Sequence, residues 1–420
     1  MSNKKISFIL AAVMFFNVEA AFDIKQRSEI SAELEYVSQR AGFYVEKGIW
    51  QGVFLENLAE LGNDFDNLIV PEILSAYGSD WVPGRIKVVI SDMVTSFGYI
   101  DRRDTEDIIY LSAEHLGNDL LKDTLAHEFQ HLVTIYNKED RLDREEKPWL
   151  LEALAEYAPV VVGYNNMTEK RKDDFFKDPS NSLVGWSNAL YDHAPVNLFM
   201  NYAVEQKGID FLKSIIASNK TGVNAFPDFI DLYVDWTIAN FVNDCEVDVR
   251  YCYQNEVLNH KVPPTVNYNL FPIESLSVGA SAEAYSPHWY KISGLTDEDR
   301  IIKIEFKGND DEVDYYVPYV ITDKKNKKTI GELKSEIFIE SFGKDINSVT
   351  IIPSSNKKAG FSFTVSVVDE IPDGFDNEEL RQKLIERIEE LEIIVLTLRK
   401  QILERQVELL RARIKEFFGL

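Results

Sequence analysis

Two histidines one helical turn apart, with a carboxylate beside the first, constrain this chain more than any other feature: His127-Glu128-Phe129-Gln130-His131. On an α-helix, residues i and i+4 leave the same face. Both imidazoles can therefore reach one zinc ion while Glu128 lies beside its open coordination position. The flanking runs Leu120-Leu121-Lys122-Asp123-Thr124-Leu125-Ala126 and Leu132-Val133-Thr134-Ile135-Tyr136 predict a strongly apolar helix, with Asn118 as its N-cap. Such a helix is buried, and its polar residues need partners. The plain alternative, a buried histidine pair without metal, is weighed down by this context.

A second helix is predicted after a charged connector, Lys138 to Lys147, with Pro148 in its first turn: Pro148-Trp149-Leu150-Leu151-Glu152-Ala153-Leu154-Ala155-Glu156-Tyr157. Glu152 lies among leucines and alanines, and a buried anion costs several kcal/mol unless it is paired or bound to metal. It is assigned as the third zinc ligand. Glu156, one turn further, is expected to accept a hydrogen bond from the non-coordinating nitrogen of a ligand histidine. The alternative for Glu156 is an ordinary exposed helix charge.

The helix His127–His131, followed by Trp149-Leu150-Leu151-Glu152-Ala153-Leu154-Ala155-Glu156, resembles the gluzincin zinc metallopeptidases, closest to the hyicolysin-like family. That family's second motif usually has Asn and Gly where this chain has Leu151 and Ala153; the metal-binding groups are intact. The resemblance extends upstream through Phe43-Tyr44-Val45-Glu46, Phe65-Asp66-Asn67, Ala76-Tyr77-Gly78, Gly98-Tyr99 and Ile108-Ile109-Tyr110-Leu111, and downstream to about residue 215, about half of the chain, with only the two zinc motifs specific. It implies an α+β zincin-like catalytic domain, which the helical pattern that follows carries on to Pro263-Pro264 so that it is expected over residues 21–262, and one catalytic zinc ion, Zn2+, held by His127, His131 and Glu152. It also implies peptide-bond hydrolysis in which Glu128 takes a proton from zinc-bound water and passes it to the departing amine.

Gluzincins commonly supply a Tyr or His from a later helix to the tetrahedral oxyanion, and Ser187-Asn188-Ala189-Leu190-Tyr191-Asp192-His193-Ala194 offers both. The resemblance favours Tyr191, against simple packing of that ring at the rim. His193 is the weaker candidate, against a surface or helix-entry histidine. The resemblance further implies that substrate lies extended along an edge strand, for which Ile109, Tyr110 and Leu111 are the leading candidates; the alternative is a short interior strand.

The 420 residues fit two or three domains, and 45% hydrophobic residues suffice for a sizeable core. A net charge of -25 argues against nucleic acid as a partner, since phosphate binding relies on basic patches. At the N-terminus, Lys4 and Lys5 precede the apolar run Ile6 to Phe16, with small residues at Ala20 and Ala21. This pattern predicts a signal peptide over residues 1–20, and hence a secreted, periplasmic or cell-surface protein with no stable membrane span after cleavage, against the alternative of an uncleaved anchor. In such an oxidising destination Cys245 and Cys252, the two cysteines present, are expected to form a disulfide; two free thiols are the alternative.

Beyond the amphipathic segments Pro195 to Gln206, Ile209 to Ala217 and Phe226 to Phe241, the pattern changes to short alternating runs. These predict an all-β sandwich over residues 263–371, serving as a binding module or as a passive stabilising domain. From 376 to 420, Leu384, Ile388, Leu391, Val395, Leu398 and Ile402 recur at spacings of three and four, the seam of a coiled-coil helix. The seam then shifts to Leu403, Val407, Leu410, Ile414 and Phe417, so a short homo-oligomeric coil stands beside packing back on the same chain. The leading expectation is an exported zinc-dependent endopeptidase acting on a peptide or protein substrate. Its rival is a cell-wall or surface binding protein with a non-catalytic peptidase-like domain, a reading that gives an intact Glu128 no chemical purpose.

Overall fold

A computed structural model describes residues 6–9, 29–49, 55–92, 97–269, 275–294, 299–372 and 395–400, with single positions 402, 403, 405, 407 and 411. Its architecture is mixed α+β. The N-terminal sheet consists of β1 (Ile6–Ile9), β2 (Glu29–Val37), β3 (Ala41–Glu46), β4 (Ile86–Ser91), β5 (Gly98–Ile100) and β6 (Ile108–Ser112), in the order β1-β2-β3-β4-β6-β5. Strands β3, β4 and β6 run parallel; β5 returns antiparallel along β6.

This order corrects the expected edge. Ile109, Tyr110 and Leu111 belong to an interior strand, buried throughout and paired on both sides, and the described edge beside it is Gly98–Ile100. The physical reason was present in the run Ile108-Ile109-Tyr110-Leu111, which does not alternate with polar residues. A strand covered on both faces reads as continuously apolar. Ile109 and Leu111 join the helical core, whereas Ile108 and Tyr110 pack with Ile30, Ala32 and Val89 on the other face.

The helical layer contains α1 (Leu55–Asp64), α2 (Val70–Ala76), α3 (Asp119–Thr134), α4 (Pro148–Val161), α5 (Asn166–Phe175), α6 (His193–Lys207), α7 (Asp210–Ala217) and α8 (Phe229–Val242). Asn118 caps α3, its side chain accepting from Leu120 N at 3.0 Å, and Pro148 opens α4. The connector between these helices is charged but partly buried. Lys138 Nζ donates to Glu146 Oε2 at 2.6 Å and to Lys220 O at 3.0 Å, while Glu146 Oε1 accepts from Lys147 N at 2.8 Å and Gly222 N at 2.6 Å. Both side chains are fully buried, so the charges of this buried pair compensate each other where the chain reverses to lay α4 on α3.

The C-terminal part contains β7 (Val266–Tyr268), β8 (Ser275–Ala282), β9 (Tyr290–Ser293), β10 (Arg300–Gly308), β11 (Tyr315–Tyr316), β12 (Pro318–Asp323), β13 (Lys328–Glu332), β14 (Glu336–Phe342), β15 (Ile346–Ile351), β16 (Ser354–Ser355) and β17 (Ala359–Val368). Nine of these strands form one curled sheet, and β11 pairs with β16. The expected pair of stacked sheets is thus hydrogen-bonded into one. Its halves, β13-β12-β15-β9-β7 and β14-β10-β17-β8, are joined at the single pair Phe342↔Ile346. A turn at Gly343, with φ of 91°, makes this tight corner possible. Along β17, buried Ala359, Phe361, Phe363 and Val365 alternate with more accessible residues, which is why the alternating pattern was legible.

The α-helical and β parts share apolar packing: Tyr285, Trp289, Val320 and Ile352 join the helical core. Trp289 Nε1 also donates to Thr237 O at 3.1 Å. Cys245 and Cys252 are joined by a disulfide, with Cα atoms 5.1 Å apart. No helix among the described residues is long and apolar enough to cross a membrane. Of the expected signal segment only Ile6–Ile9 is described; Leu384, Ile388, Leu391, Leu410, Ile414 and Phe417 lie outside the described residues. Val395–Lys400 is helical, with Val395 and Leu398 about half exposed.

Candidate metal centre

Helix α3 is buried along almost its whole length from Leu121 to Thr134, so each polar side chain it carries must be compensated. Several are met inside the protein. Asp123 accepts from Met167 N at 2.8 Å and Asn166 Nδ2 at 3.1 Å, fastening the start of α5 to α3; burial raises its pKa. Gln130 Nε2 donates to Thr134 Oγ1 at 2.7 Å. His127 and His131 meet each other and a carboxylate from α4.

The Nε2 atoms of His127 and His131 lie 3.1 Å apart, and Glu152 Oε2 is 3.3 Å from the first and 3.5 Å from the second. The two rings stand nearly perpendicular. Glu152 Oε2 is buried without a hydrogen-bond partner. Burial raises the Glu152 carboxyl, but the two imidazoles outweigh that effect and hold it well below the usual carboxylate range. Three electron-pair donors therefore converge at a point where one shared proton cannot satisfy them all. Their separations fit four-coordinate zinc, whose donors at bond lengths of ~2.0–2.2 Å stand roughly 3.3 Å apart. His127, His131 and Glu152 are also the group of potential ligands found among the described residues.

Glu128 points from the same helix and is 5% exposed. Burial raises its carboxyl to about 8; nearby His131 opposes the rise, and Glu152 and Glu156 add to it.

Glu156 takes a different role from the one expected. It is fully buried, and Arg171 on α5 grips both its oxygens, with Nε 3.0 Å from Oε1 and 3.1 Å from Oε2, and Nη2 2.7 Å from Oε1. Asn197 Nδ2 donates to Oε2 at 3.1 Å, and His193 Nδ1 lies 2.9 Å from Oε1. Although burial raises its carboxyl, Arg171 and His193 bring it far below the usual range. The outer Nδ1 atoms of His127 and His131 have no hydrogen-bond partner. Four residues along a helix rotate a side chain by roughly 40° and advance it by about 6 Å, enough to turn Glu156 from α3 toward α5 and α6.

His193, the first residue of α6, stands beside the centre: its Nδ1 is 3.7 Å from Glu152 Oε2, and Trp186 packs edge-on against its ring with centroids 5.0 Å apart. Tyr191 is 55% exposed, on a short turn that Asp192 pins by accepting from Ser187 N and Oγ, each at 2.8 Å, and Ala189 N at 3.1 Å. The structure thus brings His193 against the Glu152 carboxylate and leaves most of Tyr191 in solvent.

Sequence reasoning missed Arg171 and Asn197. Arg171 lies in Glu169-Lys170-Arg171-Lys172-Asp173-Asp174, which reads as a solvated face, so no local signal marked it. Asn197 did carry one: a lone amide in the apolar run Val196 to Met200 requires a buried partner.

No protein-family model and no curated protein matches this chain. Among solved structures it is similar to a mitogen from Yersinia pseudotuberculosis, at 10% identity and a TM-score of 0.20, over 24% of this chain and 91% of that one. It is also similar to a periplasmic inhibitor of g-type lysozyme from Aeromonas hydrophila, at 10% identity and a TM-score of 0.16, over 25% and 96% of the two chains. A family GH115 4-O-methyl-α-glucuronidase aligns at 8% identity and a TM-score of 0.15, over 61% and 40%. At such TM-scores these likenesses carry no argument about activity.

Proposed function

We propose that this chain is an exported zinc-dependent endopeptidase with a zincin-like domain of the gluzincin type. The observation that carries this reading is the convergence of His127 Nε2, His131 Nε2 and Glu152 Oε2 from two helices, with buried Glu128 on the same helix as the histidines. Zinc, when bound, supplies a Lewis acid that lowers the pKa of a water and polarises a substrate carbonyl.

The chain's own residues supply the proton transfers. The Glu128 carboxylate removes a proton from the water whose oxygen attacks the peptide carbonyl carbon. It then delivers that proton to the amide nitrogen as the carbon–nitrogen bond breaks. His193 gives its Nδ1–H to the Glu156 carboxylate, and in its doubly protonated imidazolium form it also carries an Nε2–H, which serves as the donor to the oxyanion in preference to Tyr191. An extended peptide lies along the sheet edge at β5, the described edge strand beside α3.

Purified protein is expected to contain one zinc per chain by elemental analysis and to cleave members of a broad peptide library. A chelator abolishes the cleavage and added zinc restores it. A protein that holds no divalent metal, or whose cleavage is indifferent to chelator, would not be this enzyme.

Half-exposed Val395, Leu398 and Ile402 on the C-terminal helix support a homo-oligomer formed through that segment. Light scattering is expected to give a multimer for the full chain and a monomer for a chain ending at residue 372; equal masses per chain for the two would remove the coil as the cause.

A further inference from the structure

Gly98 lies where the edge strand meets the helix that carries the base. A Cβ at this position would stand 2.7 Å from Thr124 Cγ2, 3.0 Å from Tyr110 O and 3.1 Å from Glu128 Cγ. None of these neighbours yields easily. Tyr110 O is backbone in a strand paired on both sides. The Thr124 side chain is tied by its Oγ1, which donates to Leu120 O at 2.8 Å, and Glu128 is buried. The φ of Gly98 is not in the left-handed region, so conformational freedom is not what glycine supplies here. It supplies proximity: the backbone of β5 lies against the side chain of Glu128 with no Cβ between them.

We propose that Gly98 is a positioning residue for peptide hydrolysis, setting the gap between Glu128 and a peptide extended along β5. The inference rests on the endopeptidase reading. A side chain at residue 98 has to push the short strand Gly98–Ile100 outward, because β6 behind it cannot retreat. A peptide aligned on the displaced strand then presents its carbonyl carbon out of reach of the water that Glu128 deprotonates. Metal binding is untouched, since all three ligands come from α3 and α4.

The test compares wild type, Gly98→Ala, Thr124→Ser and the double variant in the full chain, using a fluorogenic peptide selected from the library digest. Gly98→Ala is expected to retain its zinc and lose about 10- to 100-fold in kcat, with KM changed by less than about threefold. In the metal-free proteins, backbone amides of Phe97 to Ile100 exchange hydrogen faster in Gly98→Ala, while those of α4 do not change. Thr124→Ser removes the methyl group but keeps the hydroxyl, so it acts like wild type alone and restores part of kcat and of the exchange protection when combined with Gly98→Ala.

Wild-type kcat in Gly98→Ala, unchanged exchange in the strand, or a fall in kcat that merely follows loss of zinc each overturns the proposal. If Gly98→Ala does not fold, the double variant decides: wild-type kcat in it overturns the proposal, and reduced kcat with full zinc supports it. A wild type that binds zinc but cleaves no peptide removes the endopeptidase reading and this role with it. That result is distinct from failure of the inference alone, in which wild type and Gly98→Ala are both active.

Discussion

Replacing Glu128 by Gln is expected to lower kcat by about 10²–10⁴-fold while leaving zinc content at the wild-type level. The two halves of this result have separate causes. Glutamine keeps the shape of the side chain but its amide cannot accept a proton, so the attacking water loses its base. The metal is expected to stay because its proposed donors are His127 Nε2, His131 Nε2 and Glu152 Oε2, none of which the substitution touches. Elemental analysis and steady-state kinetics on the same preparation check both. Retained turnover in Glu128→Gln would take the proton transfers away from this residue, and loss of zinc would show that it acts on the metal instead. The burial that raises the Glu128 carboxyl to about 8 makes it a stronger proton acceptor once ionised, and a positive ion at the adjacent donor triad favours the ionised form.

Replacing Arg171 by Met is expected to have the largest effect on stability, about 3–5 kcal/mol at pH 7, because it strands the Glu156 carboxylate inside the protein. In wild type, the folded-state pKa of Glu156 is depressed. Its contribution is therefore fully present above the unfolded carboxylate value of ~4.3 and is lost as pH falls from there toward the folded value. Without the guanidinium, burial dominates and the folded-state pKa moves above ~4.3, so the sign reverses. The variant then gains from protonation as pH is lowered, and its deficit relative to wild type narrows between pH 7 and pH 5. Urea unfolding at the two pH values measures this gap. A deficit under about 1 kcal/mol, or one that stays constant with pH, would mean that Glu156 finds another partner. Adding Glu156→Gln to Arg171→Met is expected to recover most of the loss, since no ionised group is then left unpaired.

This network also gives His193 its place. Arg171 and Asn197 fix the Glu156 carboxylate, and its Oε1 fixes His193 Nδ1 beside Glu152. Three helices meet in one buried carboxylate: α4 supplies it, α5 neutralises it, and α6 presents the histidine. Asp123 on α3 closes the circle by holding the first turn of α5. The position of His193 thus depends on Arg171, Glu156 and Asp123, each more than a dozen positions away from it in sequence.

What could be read from the amino-acid order alone follows from short-range geometry. The rise and twist of a helix put His127 and His131 on one face whatever surrounds them, Asn118 and Pro148 mark where two helices begin, and seven residues bring Cys245 and Cys252 close enough to bond. That Glu152 turns inward to the two histidines was legible because a carboxylate in an apolar helix needs a compensating partner. Tertiary structure alone decided which cation answers Glu156, which strand forms the edge, and whether Tyr191 or His193 turns inward. Arg171 looks solvated in its own segment, and Gly98 looks like an ordinary strand glycine. Local periodicity fixes the face from which a side chain leaves its helix or strand; what that face meets is set by packing between distant parts of the chain.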